Sequence, residues 1–300
     1  MKRLRVRASE LVTAGYLGVT GILAVVFCPP PLRAWCPLLA VHIAAVVVLL
    51  GVLPRLADRG WWGALRDWLP ALGIPLLYIE VARLNQLVST GYHDAPVRAL
   101  DLAIFGVPPR EVLQQWLPWH PVSQYLHFSY ATYYLLLPLL GVTLYAAGRR
   151  REFRYVMATV LATFYFCFLC YVLFPVAGPW YDLPHAGGVV DAIIERGASK
   201  GAAFPSSHVA VSAVIWLLAW RFERRVFWVL AAVVPTLILG TVYGGYHYAI
   251  DAIVGLLVGA GAYFAAPWFA AEPDAQSEAN KLLNDSSNVG WAKIPSRSAV

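Results

Sequence analysis

The chain has 300 residues, of which 59% are hydrophobic and only 13% charged, with a mean hydropathy of +0.60. Soluble domains carry roughly 25% charged residues, so this composition excludes an ordinary soluble domain and points to a chain embedded in a bilayer. The net charge of +6 comes from 23 Lys and Arg spread between apolar runs, which argues for membrane orientation and against nucleic-acid binding.

Runs near the roughly 20 residues that cross a hydrocarbon core predict eight membrane helices. They lie at about 11–28, 36–53, 68–88, 124–147, 154–174, 206–221, 226–243 and 248–269. The expected architecture is an all-α polytopic membrane bundle. Residues 1–67 would form an N-terminal two-helix segment, 68–270 the main membrane domain and 271–300 a flexible cytoplasmic tail.

Met1 to Arg7 and the first apolar run imitate a secretory signal, but no small-residue cleavage site precedes Cys28-Pro29-Pro30-Pro31, so a retained span is expected. Cys28 and Cys36 flank the first connection, where an oxidising compartment would let them pair. Within the second span His42 is expected to bond a neighbouring helix. The third carries Glu80 and Arg83 one turn apart.

The segment 89–123 contains Trp116, Trp119 and several prolines, as an interfacial segment would. In the fourth span, His127 is expected to serve packing or a head group. Cys167 and Cys170 in the fifth have CxxC spacing but no second pair, so helix packing explains them better than zinc or redox chemistry.

Most Lys and Arg fall in alternate connections: 2–7, 55–66, 149–154, 221–225 and 281–297. Because short cytoplasmic loops collect these residues, both termini are expected in the cytoplasm. The segments 89–123 and 175–205 then lie on the opposite face.

The second of these leads into Phe204-Pro205-Ser206-Ser207-His208, and the last span opens with His247-Tyr248-Ala249-Ile250-Asp251. A helix beginning at Ser206 or Ser207 turns free N–H groups and a partial positive charge toward an anion, with hydroxyls as added donors. If the second run opens a helix, His247 and Asp251 share a face, and a carboxylate holding one ring nitrogen leaves the other poised for attack. Such an imidazole is a competent nucleophile toward phosphorus, and His208 can protonate the departing oxygen. A three-ligand metal site from His208, His247 and Asp251 is the less favoured reading, and no cofactor is expected.

These residues resemble the type-2 phosphatidic acid phosphatase superfamily. Its Pro-Ser-x-His motif matches Pro205 to His208, and its His with Asp four residues later matches His247 and Asp251. The flanks, Phe204, Tyr248, Gly255 and Gly178-Pro179-Trp180-Tyr181, are similar to the inositol phosphorylceramide synthase branch. The resemblance implies a six-helix catalytic core, with His247 as nucleophile, Asp251 as its orienting partner, His208 as general acid and then base, and Ser206 as a phosphate ligand.

Two features depart from the phosphatase pattern. Gly178-Pro179-Trp180 stands where a lysine and a later Arg-Pro belong, and Gly240-Thr241 replaces the Ser-Arg lead of the third motif. With those cations missing, Arg83 and Lys200 are the nominated phosphate-binding substitutes beside Ser206 and Ser207. Gly178, Pro179, Trp180 and Tyr248 are the expected substrate-lining residues.

The function expected is a metal-independent membrane phosphotransferase passing an inositol phosphate-like head group between lipids. The alternative is a lipid phosphate phosphatase with water as acceptor in place of a lipid alcohol. A non-catalytic lipid-binding or transport protein is the second alternative.

Overall fold

The computed structural model describes residues 5–27, 29–56, 58, 60–183, 197 and 199–271. Cys28, His185, Arg196 and the tail beyond 271 lie outside them, and with them the Cys28–Cys36 pairing and the expected mobile end.

The helices in chain order are α1 (Ala8–Phe27), α2 (Cys36–Val47), α3 (Gly60–Leu72), α4 (Ile74–Leu84), α5 (Asp94–Phe105), α6 (Pro109–Trp116), α7 (His120–Ala131) and α8 (Tyr133–Ala146). They continue with α9 (Arg150–Leu173), α10 (Ser207–Phe222), α11 (Arg224–Tyr243) and α12 (Ala249–Phe269). The described residues form no β-strand, only an isolated bridge between Val176 and Ala202.

All eight apolar runs are helical. Five of them, Ala8–Phe27, Cys36–Arg55, Arg150–Leu173, Arg224–Tyr243 and Ala249–Phe269, are long and apolar enough to cross a membrane. A sixth is made by α7 and α8, bent by 51° at Thr132. The other two differ in detail. The run at 68–88 is divided between α3 and α4, where Pro70 and Pro75 supply no N–H to the hydrogen-bond ladder. The sixth run, α10, has 16 residues, as its first turn belongs to a polar site.

Beyond Arg154, α9 is largely apolar on all faces, and such a helix is buried. It forms the central pillar, packed by α1, α4, α8, α10 and α12. Phe153, Met157, Leu161 and Phe168 on α9 meet Leu140 on α8, Ile215 and Leu218 on α10 and Leu230 on α11 in the main core. Cys167 is buried in that core, in keeping with a packing role. Large apolar side chains cover the outside, among them Trp268, Leu257, Phe264, Leu76 and Ile43, which is the surface a lipid-facing bundle presents.

The basic residues at the end of the bundle away from the two histidine motifs do more than orient it. Buried Arg66 on α3 donates to Glu10 on α1 from Nε (2.5 Å) and Nη2 (2.9 Å). Asp67, also buried, is met by Arg7 Nη1 and by Arg154 Nε on α9, each at 2.8 Å. Removing one partner of such a buried pair leaves an uncompensated charge, at a cost of about 3–5 kcal/mol. These pairs tie α1 to α3 and α9, and α3 runs unbroken through residues 67 and 68.

The N-terminal helices are further linked through His42. Its Nδ1 lies 3.1 Å from the Leu17 carbonyl and its Nε2 2.8 Å from Glu80 Oε1, the interhelical bonding expected of a mid-span histidine. Glu80 is thereby directed to His42.

Candidate active site

Pro205 ends the approach to α10, and Ser206 caps the helix by accepting from the Val209 amide at 3.3 Å. A serine N-cap satisfies one of the free amides of a first turn. The Ser207 amide donates to the Tyr171 hydroxyl, 3.1 Å away on α9. Ser206 is wholly buried as a cap, whereas Ser207 and His208 face a cavity.

α10 and α12 approach closely along Gly255 and Gly259. A Cβ at Gly255 would stand 2.7 Å from the Ser206 carbonyl oxygen, and one at Gly259 2.4 Å from that of Ala210. In turn the Ser206 amide donates to the Asp251 carbonyl at 3.0 Å. The two sequence motifs, 39 residues apart from His208 to His247, thus become neighbours.

α12 begins at Ala249, so His247 stands two residues ahead of the helix instead of on its first turn. Its Nδ1 lies 2.9 Å from the Ala203 carbonyl and 3.5 Å from Asp251 Oδ2. A carbonyl can only accept, so Nδ1 carries the proton and Nε2 is left with its lone pair. The ring is therefore held chiefly by a backbone carbonyl, with the wholly buried Asp251 behind it. Asp251 Oδ2 accepts from the Tyr248 amide at 2.9 Å. Ala203 is itself fixed, its amide donating to the Val176 carbonyl at 2.9 Å.

The His208 ring stacks on Tyr130 (4.5 Å) and lies tilted against Tyr133 (4.3 Å), with its centre 5.7 Å from that of His247. Neither of its nitrogens has a hydrogen-bond partner among the described residues.

Two cavities reach these imidazoles, one each. One of about 490 Å³ is walled largely by apolar and aromatic side chains and reaches Ser207 and His208. The other, of about 310 Å³, reaches His247 and Tyr248 and is bordered by Arg98, Arg110, Glu111, Pro179 and Asp182.

Of the remaining nominated residues, Pro179 and Tyr248 border the second cavity. Gly178 (φ +90°) turns the chain where a Cβ would press on Ala203 and Tyr246. Trp180 packs with Tyr130 and Tyr246 behind the site. Arg83 is exposed on α4 and borders neither cavity. The Lys200 ammonium lies 5.0 Å from the Tyr92 ring and 5.2 Å from that of Tyr181, also outside both. His127 bonds the Tyr246 hydroxyl, a packing role next to the site.

Sequence reasoning missed α5. Asp94 accepts from the amides of Ala177 (2.9 Å) and Gly178 (2.8 Å) and from the Tyr248 hydroxyl (3.2 Å). Asp101 accepts from the amides of Ala249 (3.0 Å) and Ile250 (2.8 Å), capping α12 from a neighbouring helix. Carboxylates suit a helix N-terminus through both hydrogen bonding and the dipole. Asp94, Arg98 and Asp101 are spaced i, i+4, i+7, one face of a helix, and that spacing was the available signal.

Paired imidazoles backed by a buried carboxylate, at one end of a polytopic α-helical bundle, define a membrane enzyme site suited to phosphoryl chemistry. A family model for the PAP2 superfamily matches residues 97–265, more than half of the chain and including both histidine segments, and the chain belongs to that superfamily. Membership brings phosphatase or phosphotransferase action on lipid phosphates in membranes. No curated protein and no solved structure matches the chain.

Proposed function

We propose that this protein is a phosphotransferase that moves a phosphorus-bearing head group, inositol phosphate-like, from one lipid to another through a phosphohistidine on His247. The site would lie on the extracytoplasmic face with both termini in the cytoplasm, as the distribution of Lys and Arg suggests. One observation carries the reading: an apolar cavity reaches His208, and a second cavity bordered by charged side chains reaches His247, whose ring centre lies 5.7 Å away. A lipid chain and a polar head group can then be held on either side of a single phosphorus atom.

In the first step the His247 Nε2 lone pair attacks phosphorus. The bond from phosphorus to the leaving oxygen breaks, and protonated His208 gives that oxygen its proton. In the second step His208, now neutral, takes the proton of the acceptor hydroxyl, whose oxygen attacks phosphorus and frees His247. Arg98 and Arg110 supply positive charge for the phosphate oxygens, while Glu111 and Asp182 can accept from head-group hydroxyls. A phosphodiester carries one charge less than a monoester, in line with the missing phosphatase cations.

The test is mass spectrometry of lipid products, with free phosphate assayed in parallel. Purified wild type and His247→Ala are incubated with phosphatidylinositol, phosphatidic acid, ceramide and diacylglycerol. A head-group-bearing product absent from the mutant supports the transferase. Free phosphate with dephosphorylated lipid makes the protein a phosphatase, and binding without any product makes it a non-catalytic lipid binder.

Charge-assisted hydrogen bonds are worth about 1.5–3 kcal/mol. Arg110→Ala is accordingly expected to lower kcat/KM by about 10- to 100-fold, mainly through KM. Measured alongside, Arg83→Ala and Lys200→Ala are expected to lose less; a larger loss at either would move the phosphate clamp to that residue.

A further inference from the structure

We propose that Trp68 sets the length of hydrocarbon chain the enzyme accepts, by closing the far end of the cavity that opens beside His208. The inference rests on the lipid-phosphate reading above and names a specificity determinant for it.

Along α10 the cavity wall is formed by Ser207, His208, Val211 and Ile215. At 1.5 Å per residue this stripe runs about 12 Å, comparable with one leaflet of a hydrocarbon core about 30 Å thick. No charged side chain borders it among the described residues apart from the titratable His208 at one end. A hydrocarbon chain is the occupant such a wall selects, with its phosphorus-bearing end at His208.

Trp68 stands at the other end and is braced there. Its ring lies 4.8 Å from that of Phe153 and 6.1 Å from that of Tyr145. It also presses on Gly141, where a Cβ would meet the indole at 3.0 Å. The preceding residue, Asp67, belongs to the buried ion network. A chain passing Trp68 would leave apolar surroundings for charged ones, so the indole is a firm floor.

The experiment compares wild type, Trp68→Phe, Trp68→Leu and Trp68→Ala on phosphatidylinositols of defined saturated chain length, with one lipid alcohol acceptor throughout. Burying one more methylene is worth about fourfold in affinity. With Leu and Ala, kcat/KM is expected to rise about fourfold per added methylene beyond the wild-type optimum, while Phe stays near the wild-type profile. The Leu variant keeps the test alive if Ala fails to fold. An unchanged chain-length profile in active variants overturns the inference.

A second measurement is independent of turnover. Native mass spectrometry reads the chain lengths of the same lipids bound to His247→Ala and to the double variant with Trp68→Leu. A shift to longer chains in the double variant supports the floor even if wild type shows no turnover, which would count against the proposed function alone. No shift, or no bound lipid in either protein, overturns the floor.

Discussion

His247→Ala is expected to reduce turnover by roughly 10⁴-fold or more, because it removes the atom proposed to bond phosphorus and leaves only binding and charge stabilisation. The structure makes this loss specific. Nδ1 is committed to the Ala203 carbonyl at 2.9 Å, with Asp251 at 3.5 Å, so Nε2 alone is left to attack. His208 is not expected to substitute, since its ring packs on Tyr130 and against Tyr133 with its centre 5.7 Å away. The measurement is product formation, together with trapping of an acid-labile phosphoryl label on the protein. Wild type should carry the label and His247→Ala should not. A labelled His247→Ala protein would assign the nucleophile elsewhere.

Gly259→Ala is expected to have the next largest effect, through spacing instead of chemistry. Its new Cβ would meet the Ala210 carbonyl oxygen at 2.4 Å and the Ala213 Cβ at 2.9 Å, backbone and short side-chain atoms that cannot swing away. Overpacking of this kind costs about 1–3 kcal/mol. Because α10 carries His208 and α12 carries Asp251, the loss of activity is expected to exceed the loss of stability: a misplacement of about 1 Å can cost about 10²-fold in rate. Thermal unfolding in detergent and turnover, measured on the same preparation, separate the two effects. Gly261→Ala serves as the control, since nothing lies within 4 Å of its Cβ position, and it is expected to leave both close to wild type.

What could be read from the sequence follows the range of the interactions concerned. Hydropathy is a local sum, and it located all eight apolar runs. It is blind to the missing N–H groups of Pro70 and Pro75, where the third is divided. Both histidine motifs were visible because their residues lie within five positions of one another. The shared helical face imagined for His247 and Asp251 was not realised, since α12 starts after His247 and the ring found its nearest partner in Ala203, 44 residues away. Asp94 and Asp101 act on amides 83 to 149 residues distant, and Arg98 and Arg110 border the His247 cavity only after α5 and α6 fold over it. Their spacing was present in the sequence, but hydrophobic periodicity gives no reason to favour them over Arg83 or Lys200.

The His42–Glu80 contact has a consequence for electrical balance inside the bundle. The Leu17 carbonyl obliges His42 to present a hydrogen from Nδ1, and a 2.8 Å contact between Nε2 and a carboxyl oxygen requires a second hydrogen between them. Whichever atom owns it, imidazole and carboxyl together hold two protons and sum to zero charge. Two ionisable groups thereby sit among apolar helices as one neutral dipole, avoiding the several kcal/mol that a lone charge would cost at that depth.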